Sequence, residues 1–241
     1  MNKKFYRAVG IVISLLIVFL VAAFSAASAM HILERDFFPA YYNKKVREFN
    51  AENRTAQKGG VIFVGDSLTD GCDLSVYYPG LNAYNRGIGG DTAVGVLKRM
   101  DESIFDLEPQ LIVILIGVND LARGYSTQFL FDNLNKILTQ IKERLPDAKV
   151  ILQTLYPVNP EILPAVASLM PNINVVNTRI PFIISAFSGY RYVNVFDALI
   201  VSHQNKTLKP EYTTDGLHLS DAGYKAVAAV LRPVIDQLLA E

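Results

Sequence analysis

The sequence predicts a single α/β domain with a parallel sheet that is covered by helices on both faces. Short apolar runs rich in β-branched residues recur along the chain, which is typical of strands buried on both faces of a sheet. Stretches with helical periodicity lie between these runs, and such alternation builds a parallel sheet. The 241 residues suffice for one well-buried core, and no internal repeat or second core is visible.

Five runs have the strand pattern, which predicts a five-stranded sheet. They are VIFV at 61–64, a shorter run within NAYNRG at 82–87, LIVILI at 111–116, KVILQ at 149–153 and YVNVF at 192–196.

Two predicted helices have both a capping residue and an apolar stripe. Ser126 precedes the first of them and Ser220 precedes the second, and serine is a favoured N-cap. The first stripe consists of Leu130, Leu134, Ile137, Leu138, Ile141 and Leu145, and the second of Tyr224, Val227, Leu231, Val234 and Leu238.

Residues 1–58 are expected to precede the domain, which we assign to residues 59–241. In residues 1–30, three basic residues come before an apolar stretch over about 8–24 and an A-x-A pattern, which is typical of a signal peptide. The apolar part also approaches the roughly 20 residues that span a bilayer, so an N-terminal hydrophobic helix that anchors the protein is an equal alternative. Both interpretations export the rest of the chain.

A helical lead-in is predicted over residues 31–58. Its apolar residues recur at helical spacing and favour a helix laid against the outside of the domain. These residues are Phe38, Tyr42, Val46 and Phe49.

Composition excludes several function classes. Lysine and arginine (23) balance aspartate and glutamate (23), and this zero net charge argues against general nucleic-acid binding. Cys72 is the single cysteine, so neither an intrachain disulfide nor a cysteine-based zinc site is available. Of the three histidines, His31 and His203 have no chemical context in the sequence, which leaves His218.

Four polar segments follow predicted strands, and ligands of parallel sheets bind outside the carboxyl ends of the strands. Ser67 is a nucleophile if a base takes its proton, and His218 is a candidate base with Asp215 as its orienting partner. The backbone N–H groups of Ser67 and Gly90 and the side-chain amide of Asn119 are candidate oxyanion donors.

Each segment also has a structural alternative. Ser67 could simply be a helix N-cap, and Gly89-Gly90 could form only a turn or a phosphate cradle. Asn119-Asp120 could form a turn or a cap. Asp215 and His218 could bind a metal, although no third ligand lies nearby in the sequence. A G-x-S-x-G elbow is absent, which disfavours an ordinary α/β-hydrolase.

Taken together, the four segments resemble the SGNH hydrolases, also called the GDSL esterase/lipase family. The chain has GDSL at 65–68, NRGIGGDT at 85–92, GVND at 117–120 and DGLH at 215–218, in the order of the family's four blocks. The resemblance covers about residues 60–240. It implies a flavodoxin-like three-layer α/β/α sandwich and no metal or organic cofactor.

The resemblance also implies the residue roles. Ser67 matches the nucleophile, His218 the base and Asp215 its partner, while Gly90 and Asn119 match oxyanion donors beside the Ser67 amide. The residues of the second and fourth blocks most resemble those of members such as platelet-activating-factor acetylhydrolases and carbohydrate O-acetylesterases. This resemblance implies that the substrates carry short acyl groups.

We therefore expect an exported serine esterase that acts on small-molecule, glycan or lipid esters, with loops 155–166 and 200–213 flanking its site. Two alternatives stay open: an O-acyltransferase with the same three residues, and a catalytically silent carbohydrate-binding protein on this fold. The sequence gives no oligomeric state.

Overall fold

A computed structural model describes residues 38–241, in which five parallel strands form one sheet in the order β2-β1-β3-β4-β5. The strands are β1 Val61–Gly65, β2 Ala83–Gly87, β3 Leu111–Leu115, β4 Lys149–Gln153 and β5 Tyr190–Val193. Val61 pairs with Ala83 on one side and with Leu111 on the other. This is the flavodoxin-like order, and it confirms the predicted fold class.

Helices precede, connect and follow the strands. They are α1 Phe38–Asn53, α2 Ser67–Asp70, α3 Leu74–Tyr77, α4 Ala93–Lys98, α5 Met100–Ser103, α6 Val118–Ala122, α7 Thr127–Arg144, α8 Met170–Ser185, α9 Phe196–Leu199 and α10 Asp221–Ala240, with 3₁₀ turns at Phe105–Leu107, Pro164–Leu169 and Pro210–Tyr212. Within residues 38–241, no helix has the length and apolar character needed to cross a bilayer.

The sheet and the candidate site belong to one compact unit, residues 44–241. Helix α1 accounts for part of the predicted lead-in, and Phe49 of its apolar positions is buried. The hydrophobic helix predicted within residues 1–30 and the start of the lead-in lie outside the described residues. The domain boundary at residue 59 stays a prediction.

Burial differs between the centre and the edges of the sheet. Every residue of β1 and β3 is buried, as expected for strands covered on both faces. The edge strands β2 and β5 are only partly buried, so the expectation of strands buried on both faces was wrong for them.

The last strand ends earlier than predicted. We expected it over 192–196, whereas β5 ends at Val193. The Oγ1 atom of Thr154 accepts the backbone N–H groups of Val195 and Phe196, both at 3.0 Å. This side chain turns the chain away from the sheet and into α9, although the apolar run continues.

The predicted caps of the two long helices are present. The hydroxyl oxygens of Ser126 and Ser220 accept the backbone N–H three residues further on, at 3.1 and 3.2 Å. The predicted stripe of α7 is buried up to Leu145, which lies just after the helix and is half-buried. In α10 the predicted stripe residue Val234 is only half-buried, and its neighbour Ile235 is buried instead.

Two glycines allow α2 to pack against the strand ends. A Cβ atom on Gly65 would lie 2.2 Å from Thr69 Oγ1 and 2.3 Å from the carbonyl oxygen of Leu115. A Cβ atom on Gly87 would lie 2.1 Å from the backbone nitrogen of Asp70. Only glycine permits this approach, which brings the start of α2 to the carboxyl edge of the sheet.

Asn85 fixes the same helix to β2. Its Nδ2 atom donates to the carbonyl oxygens of Thr69 (2.7 Å) and Cys72 (2.9 Å). Its Oδ1 atom accepts the N–H of Gly87 at 2.8 Å. Because one side chain satisfies three backbone groups, the end of α2 has a defined position relative to the strand.

Candidate active site

The four predicted segments meet at the carboxyl edge of the sheet. Ser67 is the first residue of α2, directly after β1, and it is half-buried. The residue that caps α2 is Asp66, whose Oδ1 atom accepts the N–H of Leu68 at 3.0 Å. Capping is therefore done by Asp66, which leaves the Ser67 hydroxyl available for another partner.

Ser67, His218 and Asp215 form a continuous hydrogen-bonded chain. The Ser67 Oγ atom lies 3.0 Å from His218 Nε2, and His218 Nδ1 lies 2.7 Å from Asp215 Oδ2. With the Nδ1 proton directed at the carboxylate, Nε2 is the acceptor that faces the hydroxyl. This is the order that nucleophile, base and orienting acid require.

Asp215 is held as an anion by its own loop. Its Oδ1 atom accepts the backbone N–H groups of Leu217 (2.9 Å) and His218 (2.7 Å). Partial burial raises the pKa of Asp215, but the hydrogen bonds from the His218 side chain and from these two N–H groups together lower it below its ordinary value. The carboxylate is therefore ionised when the imidazole beside it gains a proton.

Thr213 and Asn159 support the loop that carries this pair, and neither was predicted. The Oγ1 atom of Thr213 donates to the carbonyl of His218 and accepts the N–H of Gly216, both at 2.8 Å. The N–H of Asn159 donates to the Gly216 carbonyl at 2.7 Å. Gly216 has a φ of +94°, a conformation that favours glycine.

The two loops expected to flank the site do contact it and each other. Asn159, in loop 155–166, also donates its Nδ2 to the carbonyl of Leu208, in loop 200–213, at 2.7 Å. The loops and the segment that carries Asp215 and His218 therefore share one hydrogen-bonded support.

The candidate oxyanion donors lie on the neighbouring loop and helix. Gly90 has a φ of +77°, and its N–H makes no hydrogen bond among the described residues. Asn119 gives one amide hydrogen to the carbonyl of Asp91 at 2.9 Å, which leaves the second for a ligand. The N–H of Ser67 belongs to the first turn of α2, where helices have unpaired donors.

Comparison with known proteins identifies the family. The model of the GDSL-like lipase/acylhydrolase family matches residues 63–226. The chain belongs to this family. It is a carboxylic ester hydrolase, as its sequence motifs predicted.

Relatives of this GDSL hydrolase occur in animals and bacteria. The human platelet-activating factor acetylhydrolase IB subunit alpha1 is 29% identical over 188 residues, which cover 75% of this chain and 77% of that protein. A structure described as a platelet activating factor from Streptococcus pneumonia has a TM-score of 0.80 at 28% identity, covering 87% of this chain and 99% of the other. A GDSL-like lipase from Bacteroides thetaiotaomicron has a TM-score of 0.70 at 27% identity, covering 80% and 97%.

A buried ion pair lies behind the candidate site of the hydrolase. Arg99 and Asp91 have side chains that are 0% and 3% exposed, and Arg99 Nε donates to Asp91 Oδ2 at 2.8 Å. Sequence analysis did not assign Arg99 a role. The sequence signal that could have pointed to Arg99 was Asp91 in the second block, because a carboxylate that becomes buried requires a charged partner.

Two further carboxyls are buried close to this pair. Burial raises the pKa of Asp66 to about 7; the Leu68 N–H opposes the rise, and the charges of Asp91 and Asp120 add to it. Burial likewise raises the pKa of Asp120 to about 6, against the N–H of Ala93 that its carboxylate accepts. Asp66 Oδ2 has no hydrogen-bond partner among the described residues, which fits a carboxyl that retains its proton near neutral pH.

The remaining reactive side chains of the described region offer no competing site. Burial raises the pKa of the Cys72 thiol to about 12, so the sulfur stays protonated and unreactive. Across residues 38–241, no three His, Cys, Asp or Glu side chains are grouped to hold a metal ion. His203 lies exposed in a loop, and His31 is outside the described residues.

Replacement of Asp66 by asparagine is expected to flatten the dependence of stability on pH. Folding raises the pKa of Asp66 from 3.8 to about 7. The stability that protonated Asp66 contributes is therefore fully present below pH 3.8 and is lost as the pH rises through about 7. The asparagine side chain retains an Oδ1 atom to cap α2 but has no charge to bury. We expect the wild type to lose roughly 2–4 kcal/mol more than the variant between about pH 4 and 8.

Urea unfolding across this pH range measures the effect. The matched control is Asp73→Asn, because Asp73 caps α3 in the same manner but is exposed. This control should follow the wild-type slope. Parallel curves for the wild type and the Asp66→Asn protein would show that Asp66 is not the titrating group.

Proposed function

We propose that this hydrolase cleaves esters of short acyl groups, acetyl above all, through an acyl-enzyme on Ser67. The observation that carries the proposal is the hydrogen-bonded chain from Ser67 Oγ through His218 to Asp215, with links of 3.0 and 2.7 Å. A serine is a weak nucleophile without a base, and this arrangement supplies both the base and its orienting acid.

In the proposed mechanism, His218 Nε2 removes the hydroxyl proton of Ser67 as Oγ attacks the ester carbonyl carbon. The carbonyl oxygen becomes an oxyanion, which accepts hydrogen bonds from the N–H groups of Ser67 and Gly90 and from the Asn119 amide. The imidazolium, stabilised by Asp215, then protonates the departing alcohol. A water molecule repeats the sequence on the acyl-enzyme and releases the acid, which regenerates Ser67.

The preference for acetyl groups has two supports. The curated animal relatives, at 27–29% identity, are named acetylhydrolases. The residues of the second and fourth sequence blocks most resemble those of acetylhydrolase-like and O-acetylesterase-like members of the family.

Exposure of the site favours water as the acceptor of the acyl group. The side chains of His218 and Asp215 are 42% and 48% exposed, so water has direct access to the general base. An O-acyltransferase must exclude water in favour of another hydroxyl, and a silent binding protein has no need for the ordered chain of three residues. Hydrolysis is therefore the activity that we propose.

We further propose that the enzyme acts outside the cytoplasm, either secreted or attached to a membrane. This rests on the basic start and apolar stretch of residues 1–30. The N-terminal sequence of exported protein tests it: a start at Met30 indicates cleavage, and an intact Met1 indicates an anchor. Recovery of the full-length chain solely from the cytoplasm would contradict the proposal.

Turnover of p-nitrophenyl esters tests the catalytic proposal. With the full-length protein we expect faster hydrolysis of the acetate than of the butyrate and octanoate, and loss of at least ~10³-fold in kcat for Ser67→Ala. The matched control is Ser185→Ala. Ser185 is exposed near the end of α8, which leads to the amino end of β5 and hence to the opposite edge of the sheet.

The outcomes separate the alternatives. Undiminished activity in the Ser67→Ala protein would overturn the role of Ser67, and a preference for octanoate would overturn the acetyl assignment alone. Appearance of the acyl group on an added sugar rather than in free acid would identify an acyltransferase. Binding of glycans by a protein that turns over no ester would identify a silent binder.

A further inference from the structure

We infer that Arg123 is a positioning residue for the oxyanion donor Gly90, an inference that rests on the proposed ester hydrolysis. Arg123 follows α6 directly, its side chain is exposed, and it belongs to none of the four sequence blocks. Its Nη2 atom donates to the carbonyl oxygen of Gly90 at 2.8 Å. An exposed arginine thus contacts the peptide group next to the donor.

The glycine pair at this point is held from both sides. Asp70 Oδ2 accepts the N–H of Gly89 at 3.1 Å, and Arg123 binds the carbonyl of Gly90. The N–H that lies between these two contacts, that of Gly90, has no acceptor among the described residues. Glycine peptides rotate with little steric hindrance, so the direction of this N–H depends on such external contacts.

The segment from Gly90 to Ala93 is attached at three points to α6 and to the residue that follows it. Asn119 binds the carbonyl of Asp91 at 2.9 Å, and the Asp120 carboxylate accepts the N–H of Ala93 at 3.1 Å. Arg123 lies one helical turn beyond Asn119 and extends the attachment to Gly90. Asn119 and Arg123 therefore place the side-chain amide donor and the backbone donor relative to one another.

The positive charge of Arg123 adds to the effect. A guanidinium remains charged across the working pH range of an enzyme. Burial raises the pKa of Asp91 and of Asp120, and among the smaller influences the nearby charge of Arg123 opposes both rises, in keeping with its contact to the Gly90 carbonyl. The same field favours negative charge that develops on the substrate oxygen.

Loss of this contact should lower kcat and leave KM unchanged. A positioning residue acts when the oxyanion forms, and an interaction made only in the transition state changes kcat rather than substrate binding. We expect Arg123→Ala to lower kcat roughly 10-fold, less than the 10²–10³-fold typical of deleting an oxyanion donor outright. Arg123→Lys keeps the charge but not the planar fork, and it should recover part of the loss.

The measurement is kcat and KM of the full-length variants on a neutral ester, p-nitrophenyl acetate, and on an anionic ester, mono-p-nitrophenyl glutarate. Millimolar guanidinium chloride, added to Arg123→Ala below denaturing concentrations, should restore part of kcat by occupying the vacated position. The matched control is Arg232→Ala, because Arg232 donates to the Pro79 carbonyl at 2.8 Å near the opposite edge of the sheet. This variant should keep wild-type kcat.

Each result decides the inference. An unchanged kcat in Arg123→Ala, in a preparation where Ser67→Ala is inactive, overturns the role of Arg123 and leaves the proposed function intact. An increase in KM confined to the anionic ester also overturns it and assigns Arg123 to substrate binding. Absence of Ser67-dependent turnover in the wild type overturns the proposed function and this inference with it. If Arg123→Ala does not fold, as judged by thermal unfolding, Arg123→Gln gives the same test with the side-chain stem retained.

Discussion

The geometry of the carboxyl edge of the sheet, where the candidate active site of this hydrolase lies, depends on the buried guanidinium of Arg99. Its nitrogens donate to the carbonyl oxygens of Gly65 (3.0 Å) and Arg86 (2.8 Å), which belong to β1 and β2, and to the carboxylate of Asp91 at 2.8 Å. One planar side chain therefore joins the ends of two strands to the loop that carries Gly90. Removal of one partner of such a buried pair leaves the other charge unpaired, at a cost of about 3–5 kcal/mol.

This constraint explains why polar groups are concentrated at one edge of an otherwise apolar sheet. Asp66, Asp91 and Asp120 are all buried there, each at the end of a strand or the start of a helix, and Arg99 pairs with Asp91. Asp66 caps the helix of the nucleophile, while Asp120 and Asp91 hold the loop of Gly90. The buried carboxyls thus support the backbone geometry of the site. In the proposed mechanism the solvent-facing His218 transfers the protons, and Asp215 orients it and stabilises its charged form.

Sequence analysis predicted the features that depend on residues close together in the sequence. It missed the features that depend on contacts between residues far apart in the sequence. The central strands and the Ser126 and Ser220 caps follow from periodicity and capping preference within a few residues. The end of β5 depends on Thr154, which lies 41 residues before Val195. Nothing in the sequence immediately around Arg99 distinguishes it from a solvent-exposed arginine. Arg123 contacts the carbonyl of Gly90, which lies 33 residues earlier in the sequence. Pairings of this kind become visible only when the fold brings the segments together.

The most direct measurement is covalent labelling with diethyl p-nitrophenyl phosphate, followed by mass spectrometry of the digested protein. A serine that is activated by a base attacks the phosphorus of this reagent and takes up the diethyl phosphoryl group, with release of p-nitrophenolate. Oxyanion donors stabilise the negative charge that develops on the phosphoryl oxygen. The account predicts stoichiometric labelling of the peptide that contains Ser67, and a large decrease in the labelling rate in His218→Ala. Labelling of a different residue, or labelling of Ser67 at the same rate without His218, would contradict it.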